Sequence, residues 1–138
     1  MKTISLDFKG YRRDVNKGGL EEDAGIYCVY RCVYDKDDGT VDLKELLYIG
    51  EADNIHDRLD NHERLDDWKA HLKKGEQLCY SRAHIADKKL RLRAEAALIY
   101  YHKPCENTQH INDFGYPETE MKLSGDCEFL EKYFIVSD

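Results

Sequence analysis

Tyr27 and Tyr48 sit in two short triplets, Gly25-Ile26-Tyr27 and Tyr48-Ile49-Gly50, and the spacing continues beyond them. Arg58 follows Gly50 by eight residues, and His62 comes four residues later. Glu95 lies in the run AEAALIYYHKP, and Asn107 is twelve residues beyond it. A carboxylate such as Glu95 offers hard oxygen to one divalent ion, Mg²⁺ or Mn²⁺, with water filling the remaining positions. Arginine presents a planar fork that matches a phosphate. On a helix, Arg58 and His62 are one turn apart and face the same way. A free phenol ionises near pH 10, so a tyrosine acting as a base needs a nearby cation. A held cation, a phosphate grip and a proton acceptor are the parts that phosphodiester hydrolysis requires.

Each residue also has a plain structural role open to it. Among ten tyrosines, a single strand tyrosine is ordinary core. Arg58 could pair with Glu63 or Asp57 on a solvated helix face. Glu95 could pair with Arg91 at i, i+4, although that order is the weaker one. Asn107 could be a turn residue. Lys88, Lys89 and Arg91 read equally as a phosphate-tracking patch or as a solvated helix start.

The elements that must position these groups are legible from the pattern. Ile4 to Phe8 alternates apolar and polar, which predicts a short strand, with a loop at Asn16 to Gly19. GIYCVYRCVY, from Gly25 to Tyr34, is aromatic and β-branched and predicts a buried strand. Cys28, Tyr30 and Cys32 fall on one face of it and read as core. Asp38-Gly39 predicts a turn to a partner run, Leu46 to Gly50, giving a hairpin with a long acidic tip from Asp35 to Glu45. Asp53 or Asn54 can cap a helix carrying Ile55, Leu59, Leu65, Trp68 and Leu72, with a break near His62 and an end at Gly75. Gln77 to Ser81 predicts a third strand. Asp87 caps a helix from Lys88 to His102, with Leu90, Ala94, Ala97, Leu98 and Tyr101 as its buried stripe and Pro104 stopping it. Two later apolar clusters, Met121 to Leu123 and Phe129 to Val136, predict late strands. The expected fold is α/β (α+β): a small, mostly antiparallel three-stranded central sheet flanked by helices, with extra short strands at the termini.

The two triplets on adjacent strands resemble the signatures of the GIY-YIG nuclease family. The helix arginine at Arg58, the histidine at His62, the glutamate-bearing helix ending in Lys103-Pro104 and the asparagine at Asn107 fit the same pattern. The resemblance spans Gly25 to Asn107 and divides the chain, 1–138, into a core at 25–107 and an acidic C-terminal extension at 108–138. It implies an endonuclease that hydrolyses DNA phosphodiesters, with Glu95 holding the metal and Arg58 clamping the phosphate. Tyr27 or Tyr48 would be the general base, with His62 as its proton partner and Asn107 in support. Lys88, Lys89 and Arg91 would contact substrate. One position departs from the family: many members carry lysine after YIG, and this chain has Glu51. A carboxylate there opposes tyrosine ionisation unless it points away or joins the metal site. The alternative is a weak or inactive module of the same fold that binds nucleic acid or a protein partner, the latter through its acidic tail.

Composition bounds these readings. At 138 residues, 41% hydrophobic and 36% charged, the chain can bury a core without cross-links. Asp7 and Lys9 interrupt the first apolar residues, so neither a signal peptide nor a membrane span is expected. Five scattered cysteines, with no CxxC pair, suggest reduced thiols in a cytoplasm and no structural zinc. The net charge of −7 runs against the basic footprint of nucleic-acid binders. Its distribution softens that objection, since the acids concentrate after Pro104 while Asp87 to Lys103 is locally basic.

Overall fold

The computed structural model describes residues 1–138. The strands are β1 (Lys2–Arg13), β2 (Gly25–Asp35), β3 (Thr40–Ala52), β4 (Gln77–His84), β5 (Thr119–Gly125) and β6 (Tyr133–Val136). The helices are α1 (Ile55–Asp60), α2 (Leu65–Lys69) and α3 (Lys88–His102), and a 3₁₀ turn covers Asp14–Gly19. All six strands form one sheet in the order β3-β2-β4-β1-β5-β6, in which only β1 and β5 run parallel.

This corrects the expected three-stranded sheet. β2, β3 and β4 pair as foreseen, but β1 adds to β4 and carries β5 and β6 with it. The terminal strands therefore extend the central sheet instead of standing apart. Local pattern could not reveal this, because the β1–β5 pairing joins residues more than a hundred positions apart. The hairpin tip is also shorter than expected. Arg31 to Asp35 pair with Glu45 to Thr40, leaving a tight turn at Lys36 to Gly39, where Gly39 adopts φ +68°. The segment with acidic side chains is paired strand: its backbone hydrogen bonds are made in the ladder while its charges face water.

Apolar residues are buried on both sheet faces. Ile26, Cys28, Tyr30 and Cys32 of β2 join Ile49, Cys79 and α3 in one cluster, which continues through Ile4, Leu6 and Phe8 to Met121 and Phe134. Tyr27 and Val29 point the other way, into a second cluster with Leu20, Leu59, Trp68 and Tyr80. A strand buried on both faces reads as an unbroken apolar run, which explains GIYCVYRCVY. Asn54 caps α1 by accepting from the Asp57 N–H at 3.0 Å, and Asp87 caps α3 by accepting from the Leu90 N–H at 3.0 Å. The chain breaks between α1 and α2 at Asn61 to Arg64, beside His62. Lys103 closes α3 in the left-handed region at φ 47°, and Pro104 follows. One member of the expected α3 stripe is displaced: Tyr101 is 47% exposed and stacks on Phe134. No helix is long and apolar enough to cross a membrane.

Candidate active site

The two glycine-tyrosine triplets lie side by side, with Tyr27 directly opposite Gly50 across the β2–β3 ladder. The Tyr27 ring rests on Gly50, where a β-carbon would come within 2.4 Å of the phenolic oxygen. Gly25 is equally constrained, since a β-carbon there would meet the Ala83 carbonyl oxygen at 2.2 Å. Both glycines are therefore demanded by close approach, one of a ring and one of backbone. Gly50→Ala is expected to push the Tyr27 ring aside, lowering stability by about 1–3 kcal/mol. Thermal melting of the purified variant checks this.

Tyr27 is buried, and its hydroxyl lies 2.9 Å from His62 Nε2. The Arg64 backbone N–H donates to His62 Nδ1 at 3.0 Å, so Nδ1 carries no proton. In the neutral ring the proton then sits on Nε2 and is donated to the Tyr27 oxygen. Burial, followed by the Arg58 charge, pushes the His62 pKa down to about 4, which keeps the ring neutral at ordinary pH. In this arrangement His62 donates to the phenol and does not take its proton. Trp68 packs on His62 with ring centroids 4.3 Å apart and fixes the imidazole plane.

Tyr48 is half-buried, 6.2 Å from Tyr27 between ring centroids, and its hydroxyl has no protein hydrogen-bond partner. Burial raises the pKa of both phenols, so neither ionises unaided near neutrality. Arg58 and Arg64 reach the same cleft. The Arg58 fork is held at 2.5 and 2.7 Å by the Glu63 carboxylate, which it keeps ionised down to about pH 2. Arg64 lies 5.5 Å over the Tyr48 ring and binds Glu106 Oε1 at 2.8 Å.

Glu95 projects from α3 into the cleft beside Glu51. Burial raises its pKa to about 7, and the Glu51 charge adds to that, against the Glu51 backbone N–H and Arg91. Glu51 does not point away. One of its oxygens accepts from Arg91 Nε at 2.7 Å, which removes part of the repulsion anticipated from the sequence. Two carboxylates in a half-enclosed cleft, one with its pKa raised chiefly by burial and then by the other's charge, form a hard-oxygen donor set that suits a divalent cation. No third protein ligand is needed for Mg²⁺ or Mn²⁺, which keep several waters.

Asn107 is buried and bonds the backbone of β3 twice. Its Oδ1 accepts from the Ile49 N–H at 3.0 Å and its Nδ2 donates to the Ile49 carbonyl at 2.9 Å. β3 is an edge strand, so these are the groups it would otherwise leave unpaired. Asn107 thus fixes the strand position between Tyr48 and Gly50.

Tyr27, Tyr48, Arg58, Glu95 and Asn107 line one cleft of about 430 Å³, with His62 behind Tyr27. Lys88, Lys89 and Arg91 do not join them. Lys88 and Lys89 are exposed at the start of α3, outside the cleft lining. Arg91 is buried, bound to Glu51, Asp53 and the carbonyls of Ile85 and Ala86. It anchors α3 to β3, with its guanidinium taken up by these partners. Sequence reasoning passed over Glu63 and Arg64 as site residues; their position in the break after His62, where helical periodicity lapses, is what turns them into the cleft.

Residues 25–112 match the family described as the GIY-YIG catalytic domain, well over half of the chain. No curated protein and no solved structure gives a significant match to it. The matched stretch contains every residue that lines the cleft, from Tyr27 through His110. A GIY-YIG domain suggests a nuclease of that superfamily, acting on nucleic acid and in general using divalent metal. On this match, the chain belongs to the GIY-YIG family.

Proposed function

We propose that the protein is a divalent-metal-dependent endonuclease that hydrolyses phosphodiesters in DNA at the Tyr27–Glu95 cleft. The observation that supports this reading is the convergence of Tyr27, Tyr48, Arg58 and Glu95 on one solvent-open pocket. Glu95, with Glu51, would hold Mg²⁺ or Mn²⁺. When bound, the ion supplies charge neutralisation at the scissile phosphate and stabilises the leaving oxygen. Arg58 grips the phosphate after exchanging it for Glu63; an exposed ion pair is worth at most about 1 kcal/mol, so the exchange is easy. Tyr27 first releases its own proton to solvent in the cleft, favoured by the Arg58 charge. The phenolate then takes the proton of the attacking water while the Nε2–H of His62 steadies the negative charge on its oxygen. Tyr48, with its hydroxyl free in the cleft, orients that water. Asn107 and Gly50 keep the two tyrosines in register. The five free thiols suit the reducing cytoplasm expected of such an enzyme.

Plasmid nicking tests the reading. Cleavage is expected with Mg²⁺ or Mn²⁺, none with chelator, and none from Arg58→Ala. A protein that binds DNA tightly yet never cuts it with any divalent ion would be a binding module of the family.

Glu63 makes a separate prediction. Its carboxylate occupies the fork that a phosphate would use, so Glu63→Gln should free Arg58. DNA affinity is expected to rise several-fold at low salt, read by fluorescence anisotropy in chelator, with little change in melting temperature. Unchanged affinity would mean that Arg58 does not meet the phosphate.

A further inference from the structure

The largest cleft in the molecule is not the one described above. It lies along β1 and the tip of the β2–β3 hairpin, with a volume of about 650 Å³. Its charged lining is Lys9, Arg12, Arg13 and Arg82, and no aspartate or glutamate lines it, although the chain carries 28 acids against 21 bases.

The arginines of this chain are mostly committed. Arg31, Arg58, Arg64, Arg82 and Arg91 each pair with a carboxylate. Arg93 is bound by Thr119 at 2.8 Å and by the carbonyls of Pro117 and Glu118. Only Arg12 and Arg13 remain, neighbours in this one cleft, each held by nothing stronger than a single hydrogen bond at 3.4 Å. Arg12 Nε is buried with no partner at all. Arg13 lies 3.6 Å over the Tyr34 ring, which holds its guanidinium in place without neutralising it. Lys9 makes no ion pair either, and Arg82 donates to the Lys9 carbonyl at 3.2 Å while its charge is taken by Glu21. Three cations that make no salt bridge, with planar or extended reach, in a cleft whose own lining has no carboxylate, form a site for a polyanion.

The cleft is also aligned with the active site. Gly50, Tyr27, Arg82 and Lys9 are register partners in one row across β3, β2, β4 and β1. Lys9 is therefore two strand spacings, roughly 10 Å, from Tyr27. At roughly 3.4 Å of axial rise per nucleotide, that separation is about three phosphates along a strand. Lys9, Arg12 and Arg13 all lie before Gly25, where the family match begins.

We propose that this cleft holds the phosphodiester backbone of the nucleic acid a few nucleotides from the bond being cut, with Lys9, Arg12 and Arg13 as the phosphate contacts. The proposal rests on the nuclease reading and deepens it. It also accounts for how a chain of net charge −7 can take a polyanion: the needed positive field is local to β1.

Binding of a labelled DNA duplex, measured by anisotropy in chelator across a salt series, tests it. Removing one cation that neutralises a phosphate should lower the slope of log affinity against log salt by about 0.9. The triple variant Lys9→Ala, Arg12→Ala, Arg13→Ala is expected to reduce that slope by about two to three and the affinity at low salt by at least about ten-fold. A control with the same charge change outside the cleft lining, Lys2→Ala, Lys122→Ala, Lys132→Ala, should keep the wild-type slope. The pair Arg12→Lys, Arg13→Lys should keep it as well, which separates charge from folding. An unaltered slope in the triple variant, or an equal loss in the control, overturns the proposal. Cutting with Mn²⁺ is scored separately. Wild-type protein that cuts while the triple variant binds unchanged overturns the cleft and spares the nuclease reading. Wild-type protein that binds through the cleft but never cuts does the reverse.

Discussion

Glu95→Gln should reduce cleavage at least about a thousand-fold and, in chelator at pH 8, melt at a higher temperature than the wild type. The cleavage loss follows from removing the carboxylate proposed to hold the ion. The melting gain follows from the cleft, which holds Glu95 at a pKa of about 7, well above the usual carboxylate range, through burial and then the neighbouring Glu51 charge. The folded state binds this proton more tightly than the unfolded state does. Stability from this group is therefore full below the unfolded carboxylate pKa and declines as pH rises toward 7. Above pH 7 the ionised side chain costs up to about 3 kcal/mol, since each ten-fold difference in proton affinity between the folded and unfolded states is worth about 1.4 kcal/mol. Glutamine keeps the shape and removes that charge. The melting advantage of the variant should shrink towards nothing near pH 5, and saturating Mn²⁺ should return the wild type to parity at pH 8. Calorimetry at the two pH values, with and without ion, reads all four states. For the wild type, cleavage should rise with pH through about 7 at low ion concentration, with the midpoint moving lower as the ion is raised.

Tyr27→Phe is the second large effect. The ring stays on Gly50, so packing in the β2–β3 ladder is retained. The oxygen that receives the His62 proton is lost, leaving a buried Nε2–H unpaired at a cost of about 1–3 kcal/mol. General-base catalysis contributes about a hundred- to ten-thousand-fold, so single-turnover cleavage should fall within that range. Tyr48→Phe should cost less, because the Tyr48 hydroxyl has no protein donor to stabilise its anion. A Tyr27→Phe variant cutting within ten-fold of the wild type, with Tyr48→Phe inactive, would exchange the roles of the two tyrosines. His62 is not expected to titrate in the working range, since its pKa is near 4.

Much of the site is readable in the sequence, and the reason is local. Gly25, Tyr27, Tyr48 and Gly50 sit in two adjacent strands whose pairing the sequence pattern itself suggests, so spacing along the chain translates into proximity. Asp87, Pro104 and Asn54 mark helix ends by chemistry that acts within a few residues. What stays hidden depends on distant pairing or on the choice among partners. β1 and β5 read as detached terminal strands because nothing local records which edge they join. Arg91 sits in a basic stretch indistinguishable from a solvated face; only the fold puts Glu51 and Asp53 around it. The direction of the Tyr27–His62 hydrogen bond turns on a backbone N–H from Arg64, supplied by an irregular break that periodicity cannot describe. Arg12 and Arg13 look unremarkable in sequence because their distinction lies in the absence of nearby carboxylates.

Catalysis as proposed requires one divalent ion on Glu95, within reach of both tyrosines and the Arg58 fork. Anomalous diffraction from crystals soaked in Mn²⁺ measures this directly. A single strong peak is expected roughly 2 Å from a Glu95 carboxylate oxygen, absent in Glu95→Gln. A peak elsewhere, such as among His71, Cys105 and Glu106, with none at Glu95, would contradict it.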